Sequence, residues 1–199
     1  MRQRRLARVS IVLALLTLTG CGSTSTALDV RYPAEGANRA LLASASPRRV
    51  QVSTVDRRME TARVGTKPKG GGDIVTSRPV ADIVQEALVI EVSKNRHAVV
   101  SDRPDLVLTA FVEAFWLDVV DGYSSLQYVG KVVIALTVAD GRTGDTLVTR
   151  RYVGIKRREV DKPDESQWRE VMDTALARIM HDLATDPDLA AALARVTTG

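Results

Sequence analysis

Few residues in this chain are equipped for covalent or metal chemistry: among 199 residues there is one cysteine, Cys21, and two histidines, His97 and His181. A lone thiol can serve as nucleophile, redox group or acceptor of a modifying group, and its surroundings decide which. Cys21 closes the string Leu18-Thr19-Gly20-Cys21 at the end of a short apolar run. Neither histidine has a second ligand at i+3 or i+4 that would make a metal site, and zinc needs three or four N, S or O ligands. No nucleophile elbow is present, since Gly122-Tyr123-Ser124-Ser125-Leu126 lacks the final glycine. Lys67-Pro68-Lys69-Gly70-Gly71-Gly72 brings glycines beside lysines, but a phosphate loop would end in Gly-Lys-Ser/Thr and enter a helix, whereas Asp73-Ile74 follows. This segment reads as a flexible surface loop. The carboxylates Asp118 and Asp121, Asp140 and Asp145, and Asp161, Asp164 and Glu165 sit where turns and helix starts need them. No catalytic residue, metal ligand or cofactor is therefore expected, and the chain reads as a non-enzyme.

Cys21 has a different context. Arg2, Arg4, Arg5 and Arg8 precede the apolar residues Val9 to Leu18, and small residues precede the cysteine. A positive start, an apolar middle and a small-residue end are the parts of an export signal. The apolar run is far shorter than the roughly 20 residues that cross a bilayer. The ending Leu-Thr-Gly-Cys resembles the lipobox of bacterial lipoproteins. That resemblance implies cleavage between Gly20 and Cys21, a diacylglyceryl group on the thiol and acylation of the new amine, with palmitate-type chains as the anchor. Two or more acyl chains hold a protein stably on a membrane. The division expected is a signal peptide over 1–20, a lipidated cysteine and flexible tether over 21–47, and one periplasmic domain over 48–199. Such a tether would span roughly 30 Å.

Removing residues 1–20 changes the charge. Lys plus Arg falls from 28 to 24 against 24 Asp plus Glu, so the mature chain is formally neutral. No basic field remains to attract nucleic acid. The clusters Arg150-Arg151 and Lys156-Arg157-Arg158 fall on a strand whose neighbours point to opposite faces, as in a charge-protected edge. With Cys21 carrying lipid, the chain has no intramolecular disulfide.

Alternation predicts strands at Val50–Val55, at Leu106–Val120, at Gln127–Ala139 and from Thr146 to about Arg157, with a short one at His97–Val100. Leu106–Val120 looks apolar on both faces, as in a strand covered on both sides. Glu113 is its one odd carboxylate, read as a mark of an exposed face. A helix is expected from Val80 to Asn95, with Ser77 as N-cap and Val80, Ile83, Val84, Ala87, Leu88 and Ile90 facing inward. A second opens at Asp164 and Gln167 with the stripe Trp168, Met172, Ala175, Leu176, Ile179 and Leu183. Asp186-Pro187 starts a short last helix. The fold class expected is α+β: a mainly antiparallel sheet of about five strands with two amphipathic helices packed on one face.

These motifs occur in an order that resembles the YajG family of Gram-negative lipoproteins. The likeness runs through Asp56-Arg57-Arg58, Pro79-Val80-Ala81-Asp82-Ile83, Pro104-Asp105-Leu106, Ala139-Asp140-Gly141 and Arg151-Tyr152 to Asp188-Leu189. It implies a lipid-anchored, periplasm-facing protein with no catalytic residues to carry over. Gly22 after the cysteine implies the inner leaflet of the outer membrane. The expected role is a non-enzymatic interaction or accessory module with an envelope protein partner. The alternative is a small-ligand or lipid-binding domain with strand 106–117 as pocket wall.

Overall fold

A computed structural model describes residues 24–33, 40–122 and 125–195. Its sheet has eight strands: β1 (Thr26–Leu28), β2 (Arg49–Asp56), β3 (Gly65–Thr66), β4 (Asp73–Thr76), β5 (Ala98–Val99), β6 (Leu106–Asp121), β7 (Leu126–Asp140) and β8 (Thr146–Val160). The helices are α1 (Val80–Lys94), α2 (Ser166–Ala184) and α3 (Pro187–Arg195). The class is α+β, as expected, but the sheet is larger than five strands and partly parallel. β2 runs parallel to β6, with Val50 opposite Leu106 and Asp56 opposite Val112. The cause is the helix between them. A strand–helix–strand crossover brings the second strand back in the same direction. β6, β7 and β8, joined by short turns, form the antiparallel part.

A bulge at Glu113 controls the sheet's faces. Before it Leu106, Leu108, Ala110 and Val112 point to the helices; after it Phe115 and Leu117 do. One extra residue flips the phase of all that follow. The two-sided appearance of β6 is this phase change added to an apolar outer face. The expectation that both faces are covered is thus corrected: α1 and α2 cover one face, and Val107, Phe111 and Trp116 remain half-exposed on the other. Glu113 is exposed and pairs with Arg151 at 2.7 Å. On β7 the alternation reads true, with Val132, Ile134, Leu136 and Val138 under the helices.

In α1 the inward face runs through Ile83, Val84, Ala87, Leu88, Glu91 and Val92, so Glu91, not Ile90, continues it. Glu91 is fully buried and keeps its oxygens bonded: Asn95 Nδ2 donates to Oε1 at 3.0 Å and the Tyr32 hydroxyl donates to Oε2 at 2.5 Å. Burial, then the bond to Glu91, pushes the Tyr32 hydroxyl pKa well above its ordinary value. Ser77 does not cap α1. Pro79 stands at the N-cap, while Ser77 N donates to Leu28 O and its hydroxyl to Asp29. Asp164 accepts from Ser166 N at 2.9 Å and from Gln167 Nε2 at 2.8 Å at the start of α2. Asp186 caps α3 through Asp188 N and Leu189 N. At the other end of α3, the buried Arg48 donates to Leu193 O and Ala194 O, meeting the negative pole of the helix.

Within the stretch 21–47 expected to be a tether, the described residues belong to the domain. β1 pairs in parallel with β4, Val30 and Leu42 are buried, and Arg31 N donates to Asp173 on α2 at 2.9 Å. Single apolar residues without periodicity fill gaps between larger elements here. The segment Lys67–Gly72, expected to be a flexible surface loop, is the turn between two paired strands: β3 and β4 run antiparallel, with Gly65 opposite Ile74.

Candidate functional site

The predicted chemical residues do not converge. Gly20 and Cys21 lie outside the described residues. His97 is buried between loops; its Nδ1 accepts the Arg48 N–H at 3.2 Å, so Nε2 carries the proton and donates to Leu42 O at 3.0 Å. Desolvation lowers its pKa below the ordinary 6.5, assisted by Arg48 and opposed by the Leu42 carbonyl. The unfolded chain therefore takes up a proton near 6.5 that the folded chain refuses until a lower pH. Stability is level above 6.5 and falls as pH drops below it. Thermal unfolding of the Cys21→Ser chain should show a lower midpoint at about pH 5.5 than at about pH 7.5. His97→Gln, whose amide can keep both bonds, should flatten that difference; an unchanged slope would count against His97 as the group responsible.

His181 is exposed near the end of α2. Asp140 takes the backbone N–H groups of Arg142 and Thr143, and these bonds hold its carboxyl below the ordinary range. Asp164 is held low by its bonds from Ser166 and Gln167. Asp118 accepts the Trp116 indole N–H at 2.8 Å. Among the described residues no three His, Cys, Asp or Glu side chains gather as a metal site, and no helix is long and apolar enough to cross a membrane. The β8 arginines are divided: Arg150 meets Asp186 and Asp188, Arg151 meets Glu113, and Arg158 meets Glu170.

Two other features stand out. The first is the sheet face opposite the helices. There Val55, Phe111 and Ala135 lie abreast across β2, β6 and β7, beside Ala114, Val133 and Val153, then Trp116, Lys131 and Ile155. Val55 and Val153, on the strands that flank this face, are 44% and 41% exposed. Arg57 stacks over the Phe111 ring with its guanidinium carbon 3.5 Å from the centroid. Among the described residues no carboxylate forms an ion pair with Arg57, Lys131 or Arg157 on this face.

The second is a cleft of about 520 Å³ between the β3–β4 turn, the paired ends of β6 and β7, and the residues leading into α2. Val119, Leu126, Tyr128, Pro163 and Trp168 give it an apolar lining. Tyr128 and Trp168 meet edge to face, with centroids 6.1 Å apart and planes at 87°. The Tyr128 hydroxyl is fixed by accepting Asp164 N–H at 2.9 Å. At the rim Lys67 pairs with Glu165 at 3.2 Å and Lys69 with Asp121 at 3.3 Å, so the lysines that suggested a phosphate cradle are neutralised. Strand 106–117 does not wall this cleft; the end of the same strand, at Val119 and Asp121, does. Sequence offered only one signal, the presence of two of its few aromatics, Tyr128 and Trp168, next to turns.

Among solved structures, protein XCC0632 from Xanthomonas campestris superposes with a TM-score of 0.60 at 13% identity, over 84% of this chain and 96% of that one. At that identity the likeness shows a shared fold. The minor lipoprotein from Acinetobacter baumannii aligns more loosely, with a TM-score of 0.39 at 12% identity over 67% and 91% of the two chains. No curated protein matches in sequence. The family model Lipoprotein_16, described as "Uncharacterized lipoprotein", matches residues 37–194, nearly the whole described domain. The order of motifs from Asp56-Arg57-Arg58 to Asp188-Leu189 and the fold they make lead to one statement: the chain belongs to the Lipoprotein_16 family of YajG-like bacterial lipoproteins.

Proposed function

We propose that this protein is a non-enzymatic accessory module of the cell envelope, anchored through lipid on Cys21 to the inner leaflet of the outer membrane. Its uncovered sheet face docks a protein partner. One observation carries this reading: the core is complete on the helix side, yet Val55, Phe111, Trp116 and Val153 stay exposed or half-exposed opposite. Aromatic and apolar side chains gathered on one face mark interaction surfaces. Arg57, Lys131 and Arg157 add unneutralised positive charge there, so the partner surface is apolar and acidic. Membership of a lipoprotein family and the sequence around Cys21 support the anchor, the periplasmic side and Gly22 as sorting residue.

The test is crosslinking in intact cells with a photoreactive residue at Val153 or, as a control on the helix side, at Arg169. A discrete adduct from Val153 alone is expected. Equal yields from both sites, or no adduct from Val153, would remove the docking face. Cys21→Ser should leave the membrane fraction; retention there at full mature size would remove the anchor.

A further inference from the structure

We infer that the cleft at the end of β6 and β7 takes one acyl chain of a membrane glycerolipid, with an ester carbonyl accepting the indole N–H of Trp168. Its place beside the membrane rests on the Cys21 anchor; its chemistry does not.

Four observations converge. The volume, about 520 Å³, lies in the range of sites for small molecules. Most of the lining surface is apolar, with Tyr128 and Trp168 in it and charged side chains around it. Trp168 is 4% exposed, and its Nε1–H has no acceptor in the protein. Buried donors are normally paired, so an orphan donor in the wall of a cleft asks for an acceptor from a ligand. Charge selects the kind of acceptor. Lys67 and Lys69 are each paired, and Asp161 adds a further carboxylate to the lining, so nothing favours an anion. A neutral carbonyl on a hydrocarbon chain fits, and a free phosphate does not.

Position supplies the occupant. Glu165 lines the cleft, and its Oε2 lies 3.4 Å from the Thr26 hydroxyl in β1. Cys21 is five residues before Thr26. Five residues reach at most about 17 Å when fully extended. A lipid on Cys21 therefore keeps this end of the domain against the bilayer, where glycerolipid is the abundant apolar ligand. A domain held by a 26-residue tether would have no such preference.

The chain has two tryptophans, one in the cleft and one on the sheet face, which makes the test direct. Trp116→Phe leaves Trp168 as sole reporter, and Trp168→Phe leaves Trp116. Each lipidated full chain is reconstituted into vesicles of phosphatidylcholine with or without mid-chain bromine, a contact quencher. Loss of Trp168 emission in brominated vesicles, with Trp116 unaffected, is the expected result. Leu126→Glu or Val119→Glu, both at partly exposed cleft positions, should restore the emission. Unquenched Trp168, equal quenching of both tryptophans, or quenching that survives both glutamates would overturn the proposal. Failure of the chain to float with vesicles indicts the anchor alone. In that case Cys21→Ser with dispersed short-chain brominated phosphatidylcholine reads the cleft: quenching supports it, and none refutes it.

Discussion

Gly154→Val lifts α2 from the sheet and costs about 3 kcal/mol, the upper end of what overpacking does. Gly154 lies on β8 opposite Val132, directly beneath the helix. A Cβ at this position would stand 2.0 Å from the Ala175 carbonyl oxygen and 2.9 Å from Ile179 Cγ1. A side chain can rotate away from such a clash, but a helix backbone cannot. The helix must rise, and Trp168, Val171, Met172, Ala175, Leu176 and Ile179 all lose contact with the sheet beneath them. Domains of this size are stable by about 5–15 kcal/mol, so the loss is a large fraction of the whole. Gly130 on β7 makes the neighbouring notch, but its nearest obstacle is Val171 Cγ1 at 2.8 Å, a side-chain atom. Gly130→Ala should therefore cost less, about 1 kcal/mol. Urea unfolding of the Cys21→Ser chain checks both. A Gly154→Val midpoint equal to that of the parent would mean that α2 does not lie where it is placed here.

Arg58→Met is expected to cost about 3 kcal/mol, as when one member of a buried ion pair is removed. The Arg58 side chain is 5% exposed and Asp56 20%, and Nη2 lies 2.8 Å from Asp56 Oδ2. The same guanidinium donates to Thr61 O, Arg63 O and Phe115 O, so it ties the loop after β2 to β6. Methionine fills the volume but takes the donor from three carbonyls and leaves the Asp56 carboxylate only the backbone N–H of residue 58. Lysine restores the charge without the planar fork and should recover only part of the loss. Pairing Arg58→Met with Asp56→Asn should cost less than the sum of the two single changes, since they share one interaction. Strict additivity in that cycle, or a single-variant loss below about half a kcal/mol, would show the cluster to be incidental.

How far the sequence carried the fold depended on the length of each element. α2 spans 19 residues and β7 15, and their periodic stripes could be read directly. β1, β3 and β4 have three, two and four residues, too few to show a period, so the sheet is larger than the five strands expected. Asp186 announced α3 because capping is local. Ser77 gave the same signal and proved to bond with β1, because a distant strand competed for its groups. Glu91 lies i+4 from Ala87 and i+3 from Leu88 on the buried face, but a carboxylate adds nothing to an apolar stripe. Only Tyr32, 59 positions away, explains how a carboxylate can be accommodated there. The cleft was illegible for a related reason. Its walls come from residues 67–71, 119–122, 125–128 and 161–168, and no local pattern states that these segments meet.

The strap formed by residues 26–32 has a consequence for the order of assembly. Thr26–Leu28 waits for β4, Tyr32 waits for α1, and Arg31 waits for Asp173, 142 positions further along. The meander β6–β7–β8 can close within its own neighbourhood, where loop closure is fast. The segment next to Cys21 cannot settle until α2 exists. The first residues of the domain to be synthesised are thus among the last to find their places. With lipid on Cys21 as proposed, they serve until then as a long leash, and docking of the strap draws the domain toward its anchor.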